Sequence, residues 1–480
     1  MSDDYTRREI LHGIVIAGGA AALGACSAAT TTTPPTTGPN GSAGPAATTA
    51  GTTAGTTAVG DATVTPSGAP ILLGVPVTGT RLPPGTRPDP TRPEGTDLLP
   101  DIEHIVVLMM ENHSYDNYFG MFDRGDGFTV VDGKPTDANP DKDGTPVVAH
   151  HLPSTSQHDF HITQAWVSSH RQFNDGKLDG FVVTSGKEAM GYWTGDDIPF
   201  YWSLAKTFPL CDRFFCSVLA QTYPNRRYLT GATSLGNITT ELSSTFPSPA
   251  NGTIYDLLEK HQISWMNYHA GAPELALFPT AFFAYNEKHV AKIPQFLDDA
   301  KAGKLPAVSY ITPHPNVSEE NPQDISQGES FAAGIINAVM ASPNWAKTVM
   351  VLTYDEHGGY YDHVVPPKAF APDDIPPDAT RTGGVPGGFD QLGFRVPTII
   401  ISPFAKADYV SHVTHDLTSI LRLIETKWNL GALTYRDANA SNLLDALDFA
   451  SPPAFATPPK LADSRRPANP IQVPPAGGDE

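Results

Sequence analysis

The chain has 480 residues, and its 31 basic against 51 acidic side chains give a formal charge of −20. That balance argues against a standing grip on nucleic acid, which needs clustered Lys and Arg to neutralise phosphates. If the substrate is an anion, local positive charge must come from elsewhere, and a bound metal is the simplest source.

Residues 1–26 carry adjacent Arg7 and Arg8 ahead of a short, small-residue apolar segment ending in Leu-Gly-Ala-Cys. The run is too short for a spanning helix and reads as a signal sequence. Twin arginines here resemble the bacterial address for folded export. Leu-Gly-Ala-Cys resembles a lipobox, with Cys26 lipidated and the protein held on the outer face of a bacterial cell membrane, or secreted. Residues 27–96 are dominated by Thr, Ala, Pro and Gly. Such a segment has little to bury and is expected to be a disordered tether standing the domain off that membrane.

The catalytic domain is expected over residues 97–451. In it "IEHIVVLMM" reads as a buried parallel strand that stops on Glu111 and Asn112. "GYWTGDDIPFYW" contributes Tyr192, Trp193, Tyr201 and Trp202, either core aromatics or a rim for a choline-like cation. Cys211 and Cys216 in "CDRFFCS" have neither zinc-knuckle nor CxxC spacing and are a disulfide or two buried thiols. "LPAVSYITP" reads as another strand and "SFAAGIINAVMASP" as a helix. "KTVMVLTYDEHGG" repeats the first design, a strand running into Asp355 and Glu356. "RVPTIIISPF" adds a strand around 398–402, and "HDLTSILRLIETKWNL" a helix. Alternating strands and helices predict an α/β fold, a mostly parallel central sheet with helices on both faces. No later segment is long and apolar enough to span a bilayer, and residues 452–480 form a Pro-rich tail expected to be poorly ordered.

In parallel α/β sheets the site lies outside the carboxyl ends of the strands. Glu111, Asn112, Asp355 and Glu356 offer only oxygen donors there, the ligand set of a hard or borderline divalent cation. Acids gathered on one edge repel one another unless a cation or a shared proton compensates. Thr222 in "AQTYPNRRY" stands where a helix could open, which would put its hydroxyl among free backbone N–H groups, suited to attack on phosphorus. The plainer alternative is a helix-capping threonine.

Five segments together, "IEHIVVLMMENHSYDNYFG", "GKLDGFV", "CDRFFCSVLAQTYPNRRYLTGAT", "TYDEHGGYYDHVVPP" and "LGFRVPTIIISPFAKADYVSH", resemble the bacterial phosphoesterase family of phospholipases C and related acid phosphatases, a branch of the alkaline-phosphatase-like superfamily. The resemblance implies one divalent metal on Glu111, Asn112, Asp355 and Glu356. It also implies Thr222 as the nucleophile of a phosphoenzyme. A phosphate-holding histidine is expected before "GKLDGFV"; His158 is the choice, with His161 and His170 as rivals. His363 in "DHVVPP" fits the pattern as well. Where the family carries Ser-Glu-His-Pro this chain has "SEENPQ", with Asn321 at the histidine's place, so His314 is the substitute acid for the leaving group. Where the family has Asp-His-Thr-Ser, this chain has Leu417. His113 reads as a loop residue. The implied substrate is a phospholipid, cleaved in the manner of phospholipase C. An acid phosphatase for monoesters is the alternative, and a degenerate surface lipoprotein that only binds a ligand is the other.

Overall fold

The register of two neighbouring strands decides where the acids go. In the computed structural model, β1 (His104–Met110) pairs in parallel with the strand Thr348–Tyr354, His104 opposite Thr348 and Met110 opposite Tyr354. The next residue on each strand is therefore an acid, Glu111 beside Asp355. The Asp355 amide donates to the Met110 carbonyl at 3.2 Å, so the pairing persists to the turn.

The structure describes residues 80–241 and 248–471, all of them within one compact unit. Cys26, the twin arginines and most of the expected tether lie outside the described residues. The central sheet has eight strands. In chain order they are β1, β2 (Leu210–Cys211), β3 (Trp265–His269), β4 (Val290–Lys292), β5 (Val308–Thr312), β6 (Thr348–Tyr354), β7 (Ile399–Ile401) and β8 (Val410–Ser411). In space they run β4-β3-β5-β1-β6-β7-β2-β8, all parallel except β7, which is antiparallel to both neighbours. Every residue of β6 and all but the first of β1 are buried, so both faces of the sheet are covered. That is why these strands read as unbroken apolar runs.

Among the helices, α1 (Tyr115–Phe119) follows β1 directly, and α2 (Pro199–Thr207) precedes β2. Helix α3 (Thr222–Gly231) carries the candidate nucleophile, α4 (Ile325–Met340) leads toward β6, and α5 (Leu417–Trp428) comes after β8. No helix among the described residues is long and apolar enough to cross a membrane.

Two expectations about boundaries need revision. Residues 80–96, read as the end of the tether, are fastened to the C-terminal end of α5. The Gly85 amide donates to Ala432 O at 2.7 Å, Gly95 to Trp428 O at 3.0 Å, and the left-handed cap residue Asn429 donates to the carbonyls of Asp89, Arg92 and Pro93. The Pro-rich segment 452–471 is likewise laid against the domain. Phe455 packs on Phe208 with ring centroids 4.7 Å apart, and the Arg465 amide donates to Glu329 on α4 at 2.9 Å. Proline lacks a backbone donor but still carries apolar surface, so a Pro-rich strand without sheet pairing can pack through side chains.

Candidate active site

Helix α3 begins at Thr222, as its position before Pro224 suggests, with Gln221 as the cap. The loop before it is shaped by Asn225. Its Oδ1 accepts from the Val218 amide at 3.0 Å, and its Nδ2 donates to the Ala220 carbonyl at 2.7 Å. One side chain thus folds residues 218–221 back on the helix start and fixes the direction in which Thr222, 6% exposed, leaves it.

One turn after Thr222, on the same face of the helix, Arg226 reaches the strand-end acids. Its Nε donates to Asp355 Oδ2 at 3.1 Å, one terminal nitrogen to Glu111 Oε1 at 2.9 Å, and the other to Glu274. The guanidinium is buried, and these three carboxylates raise its affinity for a proton against the opposing effect of burial. Arg226 stood in the quoted motif without a role, although its spacing from Thr222 was a usable signal. Glu274 was missed because its loop, "AGAPELALFP", has no period; the only hint was a lone charge ahead of an apolar run.

Asp355 is pushed up to about 7, chiefly by burial, with Arg226 pulling it down and Glu111 pushing it up. Burial and the Asp355 charge raise Glu356 well above the carboxylate range. Glu320 is raised in the same way, by burial and then by Glu111. It is thus Glu320, rather than Asn321, that faces the acids; the Asn321 amide donates to Phe160 O at 3.2 Å instead.

The residues fit a divalent cation on one observation in particular. Asn112 Oδ1 and Glu356 Oε1 are buried with no hydrogen-bond partner among the described residues. Orphan oxygens inside a carboxylate cluster are what a hard or borderline cation satisfies. As they stand, no three or more His, Cys, Asp or Glu among the described residues are placed so that they could hold a metal ion; Arg226 is paired with Glu111 and Asp355 instead. Asn112 has a φ of +70°, and Gly358 is packed so closely beneath it that an added Cβ would lie 1.9 Å from the Asn112 carbonyl oxygen. The "DEHGG" glycine is therefore there to let two backbones meet at the site.

The candidate histidines are not gathered with these acids; the histidine beside them is His357, whose Nδ1 is 3.5 Å from Glu356 Oε2. His158 and His161 are exposed, and His170 lies on Trp166 with its Nδ1 2.8 Å from the Trp166 carbonyl. His314 caps a short helical turn, its Nδ1 accepting from the Asn316 amide at 3.1 Å. His363 belongs to another cluster: its Nδ1 is 2.7 Å from Asp116 Oδ2, and Asp116 also accepts from Arg395 at 2.9 Å. Burial alone would lower the His363 pKa, but the Asp116 hydrogen bond raises it to about 9.

His113 lies in the loop between β1 and α1, as expected, but buried between the rings of Tyr118 and Tyr360, and burial pushes it down to about 3. Trp193 and Tyr201 are core residues, so they form no rim for a cation; Tyr192 is also buried and Trp202 donates to Tyr118 O at 3.0 Å. Tyr201 instead joins Tyr118 and Tyr354 in donating to Glu319 at 2.6, 2.7 and 2.6 Å. Cys211 and Cys216 are two buried thiols. Leu417 is fully buried at the start of α5, whose cap Asp416 accepts from Ser217 Oγ at 2.8 Å.

Residues 102–431 match the profile of the Phosphoesterase family. The "Non-hemolytic phospholipase C" of Burkholderia pseudomallei (strain K96243) is 29% identical over 468 residues, covering 79% of this chain and 65% of its own length. The "Non-specific phospholipase C1" of Arabidopsis thaliana is 31% identical over 404 residues, 75% of this chain and 74% of that one. The "Phospholipase C B" of Mycobacterium tuberculosis (strain ATCC 25618 / H37Rv) is 28% identical over 428 residues, 75% and 80%. Among solved structures, a protein in the alkaline phosphatase superfamily from Vibrio parahaemolyticus aligns with a TM-score of 0.38 at 10% identity, over 76% of this chain and 72% of that one.

Proposed function

The chain belongs to the Phosphoesterase family, and from that premise we propose that it is a phosphoric ester hydrolase that cleaves phospholipid head groups in the manner of a phospholipase C. The observation that carries the reading is Arg226, which clasps Glu111 and Asp355 while standing one turn from Thr222. It ties the nucleophile's helix to the acids at the strand ends.

Thr222 Oγ1 attacks phosphorus in line while the P–O bond to the leaving group breaks; the threonine gives up its proton and the leaving oxygen takes one up from water, so that a phosphothreonine and a free alcohol result. Water then hydrolyses that ester. The N–H groups at the start of α3 face the phosphoryl oxygens. Glu111, Asn112, Asp355 and Glu356 would hold one divalent cation, which supplies a lowered hydroxyl pKa and charge compensation for the oxyanion. The two orphan oxygens support that donor set. A phospholipid substrate is supported by the relatives' names and by the lipobox-like Cys26, which would keep the enzyme at a membrane.

The test is hydrolysis of p-nitrophenylphosphorylcholine and p-nitrophenyl phosphate with and without chelator. Diester turnover that chelator abolishes is expected, and Thr222→Ala should lose at least about a thousand-fold in kcat. Undiminished turnover in that variant would exclude Thr222 as nucleophile. Turnover of the monoester alone would make the protein a phosphatase, and silence on both would favour a binding protein.

A further inference from the structure

Glu274 is the one member of the Arg226 clasp that comes from neither strand end. We infer, resting on the metal-dependent reading above, that Glu274 is a positioning residue that takes up part of the Arg226 guanidinium's charge and so limits its hold on Glu111 and Asp355. Arg226 is 4% exposed at its side chain and so cannot share its charge with bulk water. It divides its nitrogens among Asp355, Glu111 and Glu274. With Glu274 uncharged, the buried guanidinium has only Glu111 and Asp355 to neutralise it. Those are two of the four residues assigned to the cation, so the guanidinium, which already touches both, then competes harder with the cation for them.

Glu274 is built for that task. Thr312 Oγ1, at the end of β5, donates at 3.3 Å to the same Oε1 that Arg226 meets. The following amide, Leu275 N, donates at 2.9 Å to Asn267 Oδ1 on β3. The loop is therefore pinned to two adjacent strands. Glu274 is 3% exposed, and its Oε2 has no partner among the described residues. Burying a carboxylate this way is costly unless its partner needs it.

The experiment titrates Mn²⁺ into the full-length protein by calorimetry, with circular dichroism reporting the fold. Glu274→Gln keeps the shape and removes the charge; about tenfold weaker Mn²⁺ binding is expected, within the range seen when a partner of a metal ligand is lost. In an Arg226→Gln background the same change should cost less than about twofold, because Glu274 acts through Arg226. Wild-type Mn²⁺ affinity in a folded Glu274→Gln protein overturns the inference, and so do equal losses in both backgrounds, which would mean that Glu274 acts by charge alone. If Glu274→Gln does not fold, Thr312→Val decides: loosening the anchor should weaken Mn²⁺ about threefold, and unchanged affinity overturns the proposal. A wild-type protein that binds neither Mn²⁺ nor Ca²⁺, Mg²⁺ or Zn²⁺ overturns the metal reading together with this one, whereas failure of the variants alone leaves that reading standing.

Discussion

His363 shows how a residue type can suggest one role while its neighbours assign another. Its hydrogen bond to Asp116 raises the pKa from the ordinary 6.5 to about 9 despite burial. A base held above its unfolded pKa stabilises the fold fully below about 6.5, and the contribution is lost as pH rises through about 9. His363→Gln should therefore destabilise the protein by about 1–2 kcal/mol at pH 6 and hardly at all at pH 10, as read by urea unfolding. A stability loss that is equal at both pH values would rule out the ion pair. Loss of kcat without loss of stability would return His363 to the reaction. The same gap between type and setting explains what the sequence concealed. Glu111 and Asp355 were legible because each ends a buried apolar run, whereas Glu274 and Glu320 sit in loops without period and become site residues only through partners distant in the chain. Glu320, next to the Asn321 that stands at the family histidine's place, was passed over because a pattern of letters cannot show which of two neighbouring side chains a loop turns inward.

At the scale of elements, parallel register does most of the placing. Because β1 and β6 pair residue for residue up to Met110 and Tyr354, the two acids that follow must emerge together. The long strands, α4 and α5 could be read from apolar patterning, and the start of α3 from Thr222 ahead of Pro224. The two-residue strands β2 and β8 could not, since two residues carry no period, and the reversal of β7 could not, because a buried strand has the same composition in either direction. Gly358 tests this architecture. It has a φ of +68°, and a Cβ there would meet the Asn112 carbonyl oxygen at 1.9 Å. Gly358→Ala should cost about 3 kcal/mol or more in stability and weaken divalent-cation binding, because Asn112 must shift. Gly384 is the control: its φ is +75° with nothing within 4 Å of a new Cβ, so Gly384→Ala should cost only about 1 kcal/mol. Similar losses at both positions would mean that backbone conformation alone, and not the approach to Asn112, makes Gly358 necessary.

For the molecule as a whole, the described parts of the two segments expected to be loose, 80–96 and 452–471, are laid against the domain. Residues 80–96 hold the end of α5, and 452–471 run along α2 and α4, where Ser330 Oγ donates to Pro467 O at 2.6 Å and Arg466 pairs with Asp324 at 2.9 Å. The tail also satisfies a buried acid. Glu329 accepts from the Arg465 and Phe200 amides at 2.9 and 2.8 Å, and burial raises it to about 7. Truncation after Ser451 removes one of those donors and uncovers the faces that Phe455 and Leu461 cover. One buried leucine, one half-buried phenylalanine and a few hydrogen bonds amount to about 3–5 kcal/mol, a large share of a typical domain's margin. Among the described residues, the hydrogen bonds of these segments do not reach Arg226, Glu111 or Asp355. The truncated protein should thus unfold at a temperature several degrees lower while keeping Mn²⁺ affinity and kcat within about twofold at 20 °C. Weakened cation binding in the folded truncated protein would show instead that the tail, far from the acids in sequence, helps to set their geometry.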